Sequence, residues 1–378
     1  MRAEDRSALA WGAGVAGAGL GLRFAGAPGW LAALVLAGGL GRLLIPLAGR
    51  LARGMGAVDK PGPRRIHRTP TPRLGGVAVF LAFLAALWAG GGFAPAVRGV
   101  VFAAAVIFAL GAADDARGLP AGLRLLVQAV AVGILVQAGV VVKLVPPKAA
   151  AWWWAVDVPL TFLWMLAVTN AFNFLDGMDG LAGGLGVIAA GVLGVLAWRT
   201  GTPGLGVATA ALAGAALGFL PANWRPGRPA LIFLGDSGST FLGFTLGALA
   251  IVGDWSPARP LVSACVPVLV FFVPLFDLAY TSVERFATGK VSTLGELLAY
   301  AGTDHIHHRL AAVFGSRTAT VVFIHAFAAT VGLAAVALPR AEGGPAAVLL
   351  VQVLGVAGLV SALEVAARRR LALREDRP

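Results

Sequence analysis

Between Val168 and Gly184 the chain reads V-T-N-A-F-N-F-L-D-G-M-D-G-L-A-G-G, placing Asn170, Asn173, Asp176 and Asp179 three residues apart in an otherwise apolar or small-residue run. Residues three apart are neighbours on a helix, so this spacing predicts that each polar group faces the next. Carboxylates and carboxamides in a segment apolar enough for a membrane are costly, and such groups mark functional sites by default. Capping gives a plainer account, with Asp176 ending one helix at Gly177 and Asp179 starting the next. Capping needs only one aspartate, so the functional reading is preferred.

Other stretches carry reactive side chains. G-A-A-D-D-A-R-G-L-P (111–120) sets Asp114 and Asp115 at the C-terminal end of an apolar run. The helix dipole disfavours negative charge there, so the pair needs Arg117, Arg124 or a metal. F-L-G-D-S-G-S-T-F-L-G-F (233–244) puts Asp236 at the start of another run. Asp236 is either a simple N-cap or part of a phosphate site, since Gly235 and Gly238 let backbone approach a ligand and helix N-terminal amides favour phosphate. G-T-D-H-I-H-H-R-L (302–310) holds His305, His307 and His308, three of the five histidines. On a helix His305 and His308 share a face. Imidazole suits zinc, but without thiolates and among many carboxylates these histidines read better as donors to phosphate or sugar. V-D-K-P-G-P-R-R-I-H-R-T-P-T-P-R-L-G-G (58–76) is a stiff, basic, non-helical loop. It reads either as a topology signal touching head groups or as a clamp for an anionic substrate.

These motifs sit in a chain of 378 residues that is 58% hydrophobic and 13% charged, with a mean hydropathy of +0.84. Runs of about 20 apolar residues, the length that crosses a bilayer, recur throughout. The fold class is therefore an all-α polytopic integral membrane protein. Eleven spans are expected near 29–49, 74–95, 99–113, 122–142, 158–176, 180–198, 204–221, 231–252, 261–283, 318–338 and 344–367. Residues 1–28 form an N-terminal segment that is interfacial or a twelfth helix. Residues 29–367 form one transmembrane catalytic domain, and 368–378 a basic tail. A hairpin at 141–159 carries Trp152–Trp154, which suit an interfacial belt. The net charge of +12 reports topology rather than nucleic acid. With 50–73 assigned to the cytoplasm, connections on that side (50–73, 114–124, 177–180, 222–230, 284–317) and the tail hold 20 Lys and Arg against six opposite. Asp114, Asp115, Asp176, Asp179, Asp236 and Asp277 then gather at the same face, as one site. One cysteine, Cys265, excludes an internal disulfide and a thiolate metal cluster.

Clustered carboxylates without thiolates fit a hard cation, and Mg²⁺ takes one or two protein carboxylates plus substrate phosphates. Arg117, Arg124, Arg285 and Arg309 and the three histidines on that side point to a phosphate ester or pyrophosphate. The membrane makes the other substrate a lipid. D-D (114–115), N-A-F-N-F-L-D-G-M-D-G-L (170–181), F-L-G-D-S-G-S (233–239), H-I-H-H (305–308) and the 59–76 loop together resemble the motif set of the polyprenyl-phosphate N-acetylhexosamine-1-phosphate transferases (glycosyltransferase family 4). H-I-H-H is similar to the WecA/TagO-type branch; the MraY type carries three consecutive histidines.

The resemblance implies transfer of a sugar 1-phosphate, such as GlcNAc 1-phosphate, from a UDP-sugar to undecaprenyl phosphate. UMP is released and lipid-linked cell-envelope glycan synthesis begins. It implies Asp236 as the Mg²⁺ ligand, with Mn²⁺ as substitute, and Asp114 and Asp115 beside lipid phosphate and metal. Asn170, Asn173, Asp176 and Asp179 would line nucleotide and reaction centre, and His305, His307 and His308 the sugar nucleotide. It also implies the bacterial inner membrane, with the active site and C-terminus facing the cytoplasm, and is compatible with a homodimer. An acceptor already largely dianionic needs no strong base, since a phosphate monoester has its second pKa near about 6; a route through an aspartyl phosphate stays open. The stretch at 290–304 departs from the family, with Gly302 and Thr303 where an Asp-Arg or Asp-Lys pair is common, so the hexosamine stays open. Arg124 replaces a common lysine. The competing class, a transporter, predicts acids near the bilayer midplane.

Overall fold

The structure, a computed structural model, describes residues 3–59, 70–145, 152–300, 302, 304–341 and 343–375. Most of the basic loop read at 58–76, namely 60–69, lies outside the described residues, as do Thr303 and the centre of the hairpin at 146–151. Among the described residues the fold is helical apart from the two-residue strands β1 (Val58–Asp59) and β2 (Thr71–Pro72), which pair antiparallel. In chain order the helices are α1 (Ala3–Phe24), α2 (Gly29–Leu43), α3 (Ile45–Gly54), α4 (Gly75–Gly90), α5 (Pro95–Arg117), α6 (Ala121–Gln137) and α7 (Trp153–Phe174). They continue with α8 (Leu181–Arg199), α9 (Pro203–Asn223), α10 (Asp236–Val252), α11 (Pro260–Val270), α12 (Phe272–Ala287) and α13 (Leu294–Ala299). The last are α14 (Ile306–Phe314), α15 (Arg317–Ala337) and α16 (Gly344–Glu375).

All eleven expected apolar runs fall on helices, but they are not eleven uniform spans. Among the described residues six helices are long and apolar enough to cross a membrane, and up to eight spans result if each of two bent pairs counts as one. Apolar α4, α6 and α10 are shorter. The bent pairs are α2–α3, at 44°, and α11–α12, at 79°. Each second member begins with a proline in its first turn, Pro46 or Pro274. Proline lacks an amide and its ring collides with the carbonyl four residues back, which breaks the helix there. The expected ninth span, 261–283, is thus two helices, and Asp277 lies on the deflected half. Helix α7 takes up the end of the stretch read as a hairpin, and the buried carboxylate of Asp157, its fifth residue, accepts the Leu144 and Val145 amides, both at 3.2 Å.

Helix α10 is the hub. Every residue from Ser237 to Ile251 is buried, and α4, α5, α7 and α8 pack around it. At its start three glycine-bearing segments meet backbone to backbone. The Gly75 and Gly76 amides donate to the Phe233 and Leu234 carbonyls at 2.9 Å, and Phe233 N donates to Pro72 O at 2.8 Å. On α5, a Cβ at Gly111 would stand 2.5 Å from the Asp236 carbonyl oxygen and 2.6 Å from Ser237 Cα. The small residues of L-G-G, G-A-A-D-D and G-D-S-G let the backbones approach closely. That approach brings their acids together.

Gly111→Ala should cost about 1–3 kcal/mol, because the crowding atoms are backbone and cannot turn aside. A Cβ at Gly133 meets nothing within 4 Å. The thermal midpoint of detergent-solubilised protein should therefore fall for Gly111→Ala and hold for Gly133→Ala.

Candidate active site

The site grows from the end of α5. Both carboxylate oxygens of Asp115 accept backbone amides from the first turn of α10, Asp236 N and Ser237 N, each at 2.9 Å. Gly235 is the α10 N-cap residue and has no side chain to do this, so Asp115 caps the helix from outside. Arg73 stands 3.5 Å from Asp115. Asp114 turns to the other side, accepting Leu119 N at 2.5 Å and pairing with Arg124 at 3.0 Å. With its backbone anchored, Asp236 receives the Asn173 amide at 2.7 Å; that amide also reaches Ser239 Oγ at 3.0 Å. One turn earlier on α7, the Asn170 amide donates to Gln128 Oε1 on α6 at 2.9 Å. Asp114, Arg124, Gln128, Asn170, Asn173 and Asp236 line a small polar cavity among these helices.

Asn173 and Asp236 also form part of the wall of a far larger cleft, about 830 Å³, within the usual range of roughly 300–1,000 Å³ for ligand sites. Asp176 and Asp179 enter it from the turn joining α7 to α8, and His308 enters from α14. Gly180 closes that turn at φ +86°, a conformation open to glycine. Its amide donates to Asn223 Oδ1 at 2.6 Å. Burial, reinforced by the charges of Asp236 and Asp115, holds the Asp176 carboxyl well above the usual carboxylate range, against the pull of Arg73. Hard oxygen donors thus converge where their mutual repulsion favours a cation. Among the described residues no group of three His, Cys, Asp or Glu side chains is placed to hold a metal alone.

The histidine segment is latched to α12. Asp277 accepts Ile306 N at 2.6 Å, meets His305 Nδ1 at 2.8 Å and lies 3.6 Å from Arg309. Arg285 grips Asp304 with two donors, at 3.0 and 2.7 Å, and lies over the Tyr300 ring at 4.5 Å. Burial alone would raise the Asp304 carboxyl, but the Arg285 hydrogen bonds and charge hold it below the ordinary range. Arg309 lies over Tyr280 at 4.5 Å. His307 is 1% exposed, its ring tilted against His308 at 4.2 Å and pressed on Gly177 of the acidic turn. Among the described residues neither of its ring nitrogens has a hydrogen-bond partner.

Comparison with known proteins gives this arrangement a family. Residues 97–254 match the profile of Glycosyl transferase family 4. A probable undecaprenyl-phosphate N-acetylglucosaminyl 1-phosphate transferase of Bacillus subtilis is 31% identical over 79% of this chain and 82% of its own length. A decaprenyl-phosphate N-acetylglucosaminephosphotransferase of Mycobacterium tuberculosis is 34% identical over 93% and 94% respectively. A phospho-N-acetylmuramoyl-pentapeptide-transferase of Thermosynechococcus vestitus is 30% identical over 74% and 77%. The chain belongs to glycosyl transferase family 4. It is a multi-pass membrane protein of the WecA/TagO-like group.

Against that background the placement of the expected residues is specific. Asn173, Asp176, Asp179, Asp236 and His308 line the large cleft; Asp114, Arg124 and Asn170 line the small cavity; Asp115 lies behind both. The four polar residues from 170 to 179 do not share one helical face. Helix α7 ends at Phe174, so Asn170 and Asn173 look to α6 and α10, while Asp176 and Asp179 sit on the turn. The N-cap residue of α8 is Gly180 rather than Asp179. Asp277, His305, Arg285 and Arg309 do not line the cleft; they form the latch. His305 is the N-cap residue of α14, not a face-mate of His308 within it. The family's motifs did not single out Gln128, Asn223, Trp224, Arg225, Arg228 or Arg317, which the structure brings to these cavities. The basic turn at 224–229 was the one available signal.

Burial holds the His307 imidazole well below its ordinary 6.5, with the charges of His308, His305 and Arg309 acting the same way. The unfolded chain therefore binds a proton that the folded one refuses. Stability is complete above about pH 6.5 and declines below it, by up to about 1.4 kcal/mol per pH unit for one site. The raised Asp176 carboxyl acts in the opposite sense over this range, since the folded chain keeps a proton there that the unfolded one releases, so the histidine contribution is read as a difference. From pH 7 to 5.5 the thermal midpoint of wild type should fall relative to that of His307→Phe.

Proposed function

We propose that the protein transfers an N-acetylhexosamine 1-phosphate, GlcNAc 1-phosphate first among them, from its UDP-sugar to undecaprenyl phosphate, releasing UMP. The observation that carries this reading is the convergence of Asp176, Asp179, Asp236 and His308 on one nucleotide-sized cleft whose Asn173–Asp236 wall is shared with the Asp114–Arg124 cavity. The B. subtilis and M. tuberculosis relatives carry N-acetylglucosamine phosphate transfer in their names, and H-I-H-H in place of three histidines favours that sugar over a muramoyl pentapeptide.

In this reading the acceptor phosphate lies by Asp114 and Arg124. One of its oxygens forms a bond to the sugar-side phosphorus of the donor while the bond from that phosphorus to the UMP oxygen breaks. The attacking phosphate is largely dianionic at neutral pH, so Asp114 orients it and need not take a proton. Asn173 holds the Asp236 carboxylate toward the cleft, and Asp115, both oxygens engaged, positions Asp236. Asp236, with Asp176 and Asp179 on the same cleft, fits Mg²⁺, or Mn²⁺ in its place. Mg²⁺ takes one or two protein carboxylates and keeps its other positions for water and substrate phosphates. Such an ion neutralises the charge of the pyrophosphate and of the leaving nucleotide. The acids belong at the cytoplasmic face of the bacterial inner membrane, where basic loops and tail outnumber those opposite. A transporter would carry its acids at midspan, whereas these lie at helix ends and on turns.

Purified protein in detergent with undecaprenyl phosphate and Mg²⁺ should release UMP from UDP-GlcNAc only when the lipid is present. Asp236→Asn should abolish turnover while the protein remains folded, and His308→Ala should raise the donor KM more than the acceptor KM. Absence of UMP across a panel of UDP-sugars, from well-folded protein, would sink the reading.

A further inference from the structure

The same cleft carries cations that this chemistry does not yet use. Arg225 and Arg228 lie on the turn that follows α9, W-R-P-G-R-P (224–229), and Arg317 begins α15 beside His308. The turn is stiff. Arg228 N donates to Arg225 O at 2.8 Å, Arg225 Nη1 donates to Pro229 O at 3.3 Å, Gly227 sits at φ +74°, and two prolines flank it. It is also fastened to the acidic turn. Asn223 takes the Gly180 amide at 2.6 Å and donates to Ile232 O at 3.1 Å, and the Trp224 ring packs on Gly180. The Trp224 ring meets His325 of α15 edge-on at 5.9 Å, and His325 Nε2 lies 3.1 Å from the Leu181 carbonyl oxygen. One fastening therefore sets the position of carboxylates and guanidiniums relative to each other.

A nucleoside diphosphate donor needs such an arrangement. Its phosphates are repelled by the carboxylates, and as the bond breaks negative charge collects on the nucleoside-side phosphate. Guanidinium offers five donors in a planar fork suited to phosphate oxygens and keeps its charge at any working pH. Resting on the transferase reading above, we propose that Arg225, Arg228 and Arg317 form a phosphate seat that binds the nucleoside-side phosphate of the donor and holds it as it leaves in the nucleoside monophosphate. The carboxylates then serve the phosphate being transferred and the guanidiniums the one being released. A pre-ordered seat favours the departing charge without reorganisation at the moment of reaction.

The test compares UMP with uridine, which differ only by the phosphate, on full-length detergent-solubilised protein in EDTA so that no divalent cation contributes. Binding is read by thermal shift and, in the Mg²⁺ assay, by inhibition of transfer. Wild type should bind UMP more tightly than uridine. The double variant R225Q/R228Q should weaken UMP by roughly ten- to a hundredfold, the scale of lost charge-assisted hydrogen bonds, and leave uridine binding and the acceptor KM unchanged. R225K/R228K should recover part of the loss, and R317Q alone should show a smaller one. Retained uridine binding shows that the nucleoside pocket is folded; if the double variant loses it, R228Q and R317Q singly decide. Undiminished preference for UMP in these variants would overturn the seat, even if transfer proceeds. A UMP preference lost with the arginines, in a protein that never transfers sugar phosphate, would overturn the transferase reading and leave the seat standing.

Discussion

One buried carboxylate holds the site in register. Asp115 lies at the end of α5, where the dipole of its own helix opposes a negative charge, yet it is 7% exposed. What makes it tolerable is the opposite dipole of α10, whose first two amides point into both of its oxygens. Arg73 adds a positive charge beside it. A buried carboxylate satisfied in this way is costly to disturb, because either partner left alone would be an unpaired buried polar group. The bond therefore fixes where α10 begins, and with it where Asp236 stands. Both Asn173 and the glycine junction depend on that position.

The rest of the acid-bearing face follows the same rule of matching each charge locally before the site is assembled. Asp114 is answered by Arg124, Asp304 by Arg285, and Asp277 by His305 and Arg309. These pairs build walls and latches. The carboxylates of Asp176 and Asp236 are different: the first is crowded by like charges, and the second, held by the Asn173 amide, also meets the Asp114 carboxyl. A cleft lined by such carboxylates, while the acids around it are paired, concentrates its electrostatic demand where they converge. That is the place for chemistry on phosphates.

Rigid connections carry this pattern into geometry. The deflection between α11 and α12 at Phe271 brings α12 to the histidine segment, so that Asp277 caps α14 and His308 is delivered to the cleft. His307, packed on Gly177, ties the same segment to the acidic turn. Loops that would be mobile alone are held by helices on both sides, which keeps reacting groups from drifting.

The sequence by itself determined the membrane class, the positions of the apolar helices and the residues with chemical potential. These follow from local composition: long apolar runs must sit in lipid, and acids inside them must earn their place. It also contained the need of Asp114 and Asp115 for cations, since the helix dipole is a local property. It could not say which cations, because Arg73 and Arg124 reach those acids through packing. The three-residue spacing from Asn170 to Asp179 looked like one helical face, but helix α7 ends at Phe174, Gly180 lets the chain turn at a positive φ, and the face divided among α6, α10 and the cleft. His305, Arg285 and Arg309 read in sequence as ligand contacts, and the structure gives them Asp277 and Asp304 as partners, near in space through a proline-broken helix. Only tertiary structure could decide such roles, because a charged side chain reads the same in sequence whether its partner is a substrate or a neighbouring helix.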